Sequence, residues 1–173
     1  MKKILALMVI FTLLISCGDD DSEDFDPTRL DIVTGMNLTN DLGQIEAVWG
    51  NPNVSVTSSV AVFPKPAFGT IRIEATTSIK NIWIVRGVPS RRFTDTNFVQ
   101  VFAENPFQQN EVEAISFKTF DNLNTNNIVL NISDISQGYY RIFVQLQDDS
   151  IISDNIYVEG TNGVNLDDIN FWN

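Results

Sequence analysis

Tyr139-Tyr140-Arg141-Ile142-Phe143-Val144-Gln145-Leu146 reads as a β-strand. Successive side chains of a strand point to opposite faces, so Tyr140, Ile142, Val144 and Leu146 share one side, and Tyr139, Arg141, Phe143 and Gln145 the other. The first set is apolar throughout and predicts an inward face. The second mixes rings with a charge and an amide and predicts an outward one. Asp148-Asp149-Ser150 then turns the chain into Ile151 to Val158, which makes this strand one arm of a hairpin.

The same period runs upstream. Ile128, Leu130 and Ile132 alternate, and after Gly69 so do Ile71, Ile73 and Ala75, against Thr70, Arg72 and Glu74. Beyond Thr76-Thr77-Ser78, Ile79 to Val85 reads as a separate strand, apolar on both faces and therefore central or covered by a loop. Val54 to Phe63 is extended through Val54, Val56, Val60 and Val62. Pro64-Lys65-Pro66 is expected to stop it, since two prolines in three residues remove ladder donors. Met36 to Thr39 and Gln44 to Trp49 flank the turn Asn40-Asp41-Leu42-Gly43 as an N-terminal hairpin. Phe98 to Ala103 and Ala114 to Phe120 read as strands flanking an Asn105-to-Asn110 loop. With about eight to ten short strands and almost no helical periodicity, the pattern predicts an all-β, Ig-like antiparallel β-sandwich with an added N-terminal hairpin.

Four stretches carry a family resemblance: Val62-Phe63-Pro64-Lys65-Pro66, Gly69-Thr70-Ile71-Arg72-Ile73, Ile79-Lys80-Asn81-Ile82 and Ile132-Ser133-Asp134-Ile135-Ser136-Gln137-Gly138-Tyr139-Tyr140. Their order resembles that of type IX secretion C-terminal sorting domains. The resemblance covers residues 60–158 and implies an Ig-like sandwich. Lys65 stands where that family has Asn, and the chain continues past the family's final strand to Asn173.

Residues 1–16 read as a signal peptide. Lys2 and Lys3 precede an apolar run from Ile4 to Ile15, shorter than the ~20 residues a membrane span needs. Leu14-Ile15-Ser16-Cys17 resembles the lipobox of bacterial lipoproteins, which implies a covalent diacylglycerol and N-acyl lipid (palmitate chemistry) on Cys17. One acyl chain binds a membrane marginally and two hold it, so the anchor is expected to be stable. Residues 17–29 follow as an acidic, flexible tether, extended by repulsion among Asp19, Asp20, Asp21, Glu23 and Asp24. That run resembles the surface-export signal of lipoproteins from gliding, type-IX-secreting Gram-negative bacteria; the alternative is a solvated spacer. The resemblance implies the extracellular face of the outer membrane. Residues 30–173 are expected to form a single β-sandwich domain.

Composition narrows the chemistry. The net charge is −11, and removing the leader with Lys2 and Lys3 takes it to −13. Nucleic acid and anionic headgroups are not expected partners of so acidic a chain. There is no histidine and a single cysteine, which excludes the usual His/Cys zinc sites and the Ser-His-Asp and Cys-His nucleophiles. No cofactor or metal is expected beyond the lipid on Cys17.

Five body residues are candidates for ligand contact. Trp83, Tyr139 and Phe143 lie on the outward parity and could stack on sugar rings, or else cover a second packing layer. Arg91 and Arg92, with Arg86 nearby, could clamp a carboxylate with guanidinium forks. Asp148-Asp149 and Asp167-Asp168 are oxygen pairs without calcium-loop spacing. The expected function is a non-catalytic, surface-exposed outer-membrane lipoprotein acting as a protein-interaction module. An unknown protein partner would dock at a sheet edge or an aromatic patch, and the resemblance suggests a secretion or gliding assembly. The alternative is a carbohydrate-binding surface lipoprotein, with a glycan as its partner.

Overall fold

A computed structural model of the chain describes residues 26–55 and 59–172. The leader, Cys17, the acidic run Asp19, Asp20, Asp21, Glu23 and Asp24, and Val56 lie outside the described residues. Among those described are ten strands and three short helices, an all-β sandwich as the alternation predicts.

The longest strand, β5 (Thr70–Arg86), is 17 residues and replaces the two strands expected on either side of Thr76-Thr77-Ser78. Its pairing slips between Glu74 and Ile79 and again between Ile79 and Asn81. The second slip shifts the alternation by one residue. Ile71, Ile73 and Ile79 occupy odd positions and Ile82 and Ile84 even ones, yet all five are buried in the same core. A reading based on strict period two breaks the strand where the molecule only bends it.

That bend builds the two layers. The first half of β5 pairs with β4 (Val60–Phe68) on one side and β8 (Thr125–Asn131) on the other. Its second half pairs with β9 (Gly138–Leu146) and with β7 (Lys118–Phe120). β9 turns into β10 (Ile151–Val158), and β10 meets β4 in parallel where Val158 lies opposite Ala67. The ladder thus returns to where it began, and the sheet curls over its own apolar face. Tyr140, Ile142, Val144 and Leu146 all point into that core, as the alternation predicts. Each fully buried aliphatic side chain there contributes roughly 1.5–3 kcal/mol relative to exposure.

Two further expectations need correction. Pro64 and Pro66 do not stop the strand but lie within β4. They occupy the irregular stretch between Phe63 and Phe68 where pairing with β5 lapses, so the missing donors cost the ladder nothing. Phe98 to Ala103 is not a strand but most of helix α1 (Phe98–Glu104), and Ala114 and Ile115 are the last two residues of helix α2 (Gln109–Ile115). Asn97 caps α1 by accepting from Gln100 N, and Phe98 and Phe102, one turn apart, are its buried residues. Only Lys118–Phe120 of the second predicted strand is extended.

The N-terminal hairpin is present as β2 (Gly35–Thr39) and β3 (Ile45–Gly50). Asn40 Oδ1 accepts from the backbone of Leu42 and Gln44, and Gly43 takes φ +75° to complete the turn. At the other end Gly50 has φ +58°, and a Cβ there would lie 2.4 Å from the Thr34 carbonyl oxygen. Preceding the hairpin, β1 (Ile32–Val33) pairs in parallel with β6 (Val88–Pro89), which holds the entry of the chain against the sheet. Helix α3 (Leu166–Asn170) begins the C-terminal tail.

Candidate functional site

The outward parity of β9 is not outward. Tyr139, Arg141, Phe143 and Gln145 are all buried, because a third layer covers them. Trp83, Val85 and Phe143 pack against Val112 of α2, with Phe107 from the connection before it. Tyr139 packs with Val33, Met36 and Tyr157 under the hairpin and the tail. Trp83, Tyr139 and Phe143 therefore offer no ring face to a sugar, and the expectation of an aromatic platform there is corrected. The physical reason is that the helical connection and the hairpin bury more apolar area by sealing these rings than an open platform would.

The tyrosines are fixed by their hydroxyls. Tyr139 donates to the Asp168 carbonyl at 2.6 Å and accepts from Trp172 Nε1 at 2.9 Å. Tyr157 donates to Asp168 Oδ2 at 2.5 Å. Burial pushes both phenols up to about 12, and the Asp168 carboxylate adds to the shift.

The arginine clamp is also corrected. Arg91 donates from Nε to the carbonyl of Phe171 and from Nη2 to that of Asn170 at 3.1 Å, with its guanidinium over the Phe171 ring. Its fork is turned onto the C-terminal tail. Arg92 donates its backbone N–H to Ser90 Oγ, and Arg86 lies 5.1 Å above the Phe117 ring. The guanidiniums of Arg91 and Arg86 are thus engaged at separate places, on the tail and on the Phe117 ring. Of the Asp pairs, Asp148 accepts from Ser150 N and Oγ, which lowers its pKa, Asp149 accepts from Lys80, and Asp168 accepts from Tyr157.

Arg141 is the residue that alternation misplaces most. Its side chain is fully buried, with Nη1 donating to the carbonyls of Arg29 and Ile32, and Nη2 to the Asn53 carbonyl at 3.0 Å and Ser153 Oγ at 2.8 Å. The guanidinium carbon sits 5.2–5.4 Å from the ring centres of Phe102, Phe107 and Phe143. Asn53 and Asn155 extend the network to the backbone of Ile32 and Gly35. Desolvation pushes the group down to about 9, opposed by the charges of Asp154 and Asp31, so it remains a cation at neutral pH. This buried charge, with no carboxylate in contact with it among the described residues, ties the chain's entry segment to the sheet. The signal for it was present in the sequence. Two rings on the same parity imply a covered face, and a covered face takes its arginine with it.

Among the described residues, two surfaces are open to contact. Strand β3 is an edge, paired only to β2 among the described residues, and Ile45 and Val48 on it are 62% and 54% exposed. Its six residues carry one charge, Glu46, and neither lysine nor proline, the usual protections of an edge. The second is a cleft of about 920 Å3 between the entry segment Asp26–Asp31 and the α1–α2 connection. Val85 and Phe107 are at its apolar side, and Ile115 and Phe117 are exposed in its lining.

No protein-family profile matches the chain, and no curated protein does. Among solved structures it is similar to the PmoD soluble domain from Methylocystis sp. (Rockwell), at 11% identity and a TM-score of 0.36, over 61% of this chain and 95% of that one. A likeness this distant carries no argument about function.

Proposed function

We propose that this chain is a non-catalytic lipoprotein of the outer membrane, anchored through acylated Cys17 and carried to the cell surface by Asp19, Asp20, Asp21, Glu23 and Asp24. Its β-sandwich is an interaction module that docks a partner protein along β3, by addition of a strand. The exposed, apolar, unprotected edge of β3 is the observation that carries this reading. The leader and lipobox residues support the anchor, and the sorting-domain resemblance of residues 60–158 supports a place in a secretion or gliding assembly.

The test uses cells expressing the full chain with a photo-crosslinking residue at Val48. Capture of one partner at fixed stoichiometry, abolished by Ile45→Lys, is the expected result; capture that survives the charge on the edge sinks the docking mode. Cys17→Ala should release the protein from membranes and abolish palmitate labelling. Protease added to whole cells should remove the wild-type body. Full protection would place the protein on the inner leaflet.

A further inference from the structure

The cleft beside the entry segment has a composition that selects its occupant. Ile115 and Phe117 are 43% and 41% exposed, and apolar side chains grouped at a concavity mark a contact site more often than scattered ones do. The charged lining is unequal, with Asp26, Asp31, Glu104 and Glu111 set against Arg29 and Arg86. Arg29 is engaged with Asp31, at 3.2 Å from Nε to Oδ1 and 3.0 Å from Nη2 to Oδ2. Arg86 is stacked on Phe117.

Glu104 and Glu111 make no ion pair among the described residues, and Asp26 feels the charge of Arg29 without a salt bridge to it. Asp26 accepts from Thr28 N and Oγ1, and those two bonds lower its pKa and keep it ionised. Glu104 accepts only from the neutral amide of Gln100, at 2.9 Å. Glu111 contributes a further negative charge to the rim. Such a rim repels acidic peptides, phosphates and acidic glycans, and attracts cations. The stacking of Arg86 on Phe117 shows how a guanidinium sits on this floor.

We propose that the cleft binds an extended basic and apolar peptide segment of a partner protein, with arginine or lysine heads among Asp26, Glu104 and Glu111 and apolar side chains on Ile115 and Phe117. A segment of chain suits it better than a small molecule. The cleft lies between two backbone stretches, the entry segment and the α1–α2 connection, and long basic side chains can lay their aliphatic stems on the floor while their heads reach the rim. The cleft shares no residue with the β3 edge. The two contacts are separable.

The experiment is a fluorescence anisotropy titration of the full chain in zwitterionic nanodiscs, with empty discs as blank. The probe is a labelled peptide of alternating leucine and arginine, and its counterpart carries glutamate for arginine. The basic peptide should bind at least about tenfold more tightly, and Glu104→Gln with Glu111→Gln should weaken it about tenfold. Phe117→Ser should weaken it too. The charge-matched variant Asp41→Asn with Asp121→Asn should leave it unchanged, which separates the cleft from general attraction to an acidic chain. Equal binding of the two peptides, or equal loss in the two double variants, overturns the proposal. Ile45→Lys on the β3 edge should not alter this binding, so failure of the strand-addition reading and failure of the cleft are told apart.

Discussion

On the inner face of β9, Tyr140, Ile142, Val144 and Leu146 join one apolar core; on its outer face, Tyr139, Arg141, Phe143 and Gln145 are as far from water but sit among rings, carbonyls and amides. The inner face is held by area removed from water, which is non-directional and tolerates any neighbour of the right shape. The outer face is held by groups that must each find a particular partner: Tyr139 the tail, Arg141 the entry segment, Phe143 the helical connection, Gln145 the amide of Gln109. The difference teaches that burial and polarity serve separate ends here. The core makes the sandwich stable, and the polar outer face decides which segments lie over it.

Substitutions that treat the two faces alike should separate them. Ile142→Ala, at the centre of the core, should lower the unfolding free energy by about 4 kcal/mol in a urea titration, from lost transfer energy and a cavity. Arg141→Ala should cost about 3 kcal/mol, since it empties the space between three rings and leaves the Asn53 carbonyl without its donor. Arg141→Met fills the space without burying a charge and should recover most of that loss. If methionine is as destabilising as alanine, hydrogen bonding rather than packing dominates at this position.

The tyrosines provide a smaller effect with a defined sign. Tyr139 and Tyr157, each pushed up to about 12, favour the neutral phenol in the fold. Their stabilisation is full below pH 10 and is lost as pH climbs from 10 toward about 12, by up to about 2 kcal/mol per ring. Arg141 works oppositely, gaining stability from about 9 upward as its disfavoured charge is relieved. The decisive quantity is therefore a difference: the wild type should lose more stability across this interval than the Tyr139→Phe, Tyr157→Phe variant. Smallest of all should be Trp83→Phe. The indole Nε1 is buried with no hydrogen-bond partner among the described residues, so its removal should change stability by less than about 1 kcal/mol. A larger loss would mean that the indole ring is packed too tightly for phenylalanine to fill its place.

How much of this was legible differs by element. The N-terminal hairpin and the β9–β10 hairpin are legible because their turns are polar; β9 and β10 keep period two throughout, and β2–β3 breaks it only at the shift between Leu38 and Thr39. The continuity of β5 is not, since two slips in register look in sequence like an interruption. Helix α1 is hidden because a short apolar stretch fits a strand as well as a helix, and only the Phe98–Phe102 spacing and the Asn97 cap distinguish it; α2 is mostly polar, buries only Val112 and has no side-chain cap to mark its start. Arg91 and Arg92 form a group in the sequence only by proximity in the chain. What the Arg91 side chain meets depends on a tail some eighty residues away.

By itself the amino-acid order settles the fold class and the inward face of β9, since alternation is a local property that every strand in a sandwich must obey. It also carries the reading of a lipid-anchored leader, because such signals are linear. The burial of Trp83, Tyr139 and Phe143, the capture of Arg141 and the cleft were decided only in three dimensions. Each depends on segments distant in the chain coming to lie over one sheet, and that choice belongs to packing among layers, which no local pattern records.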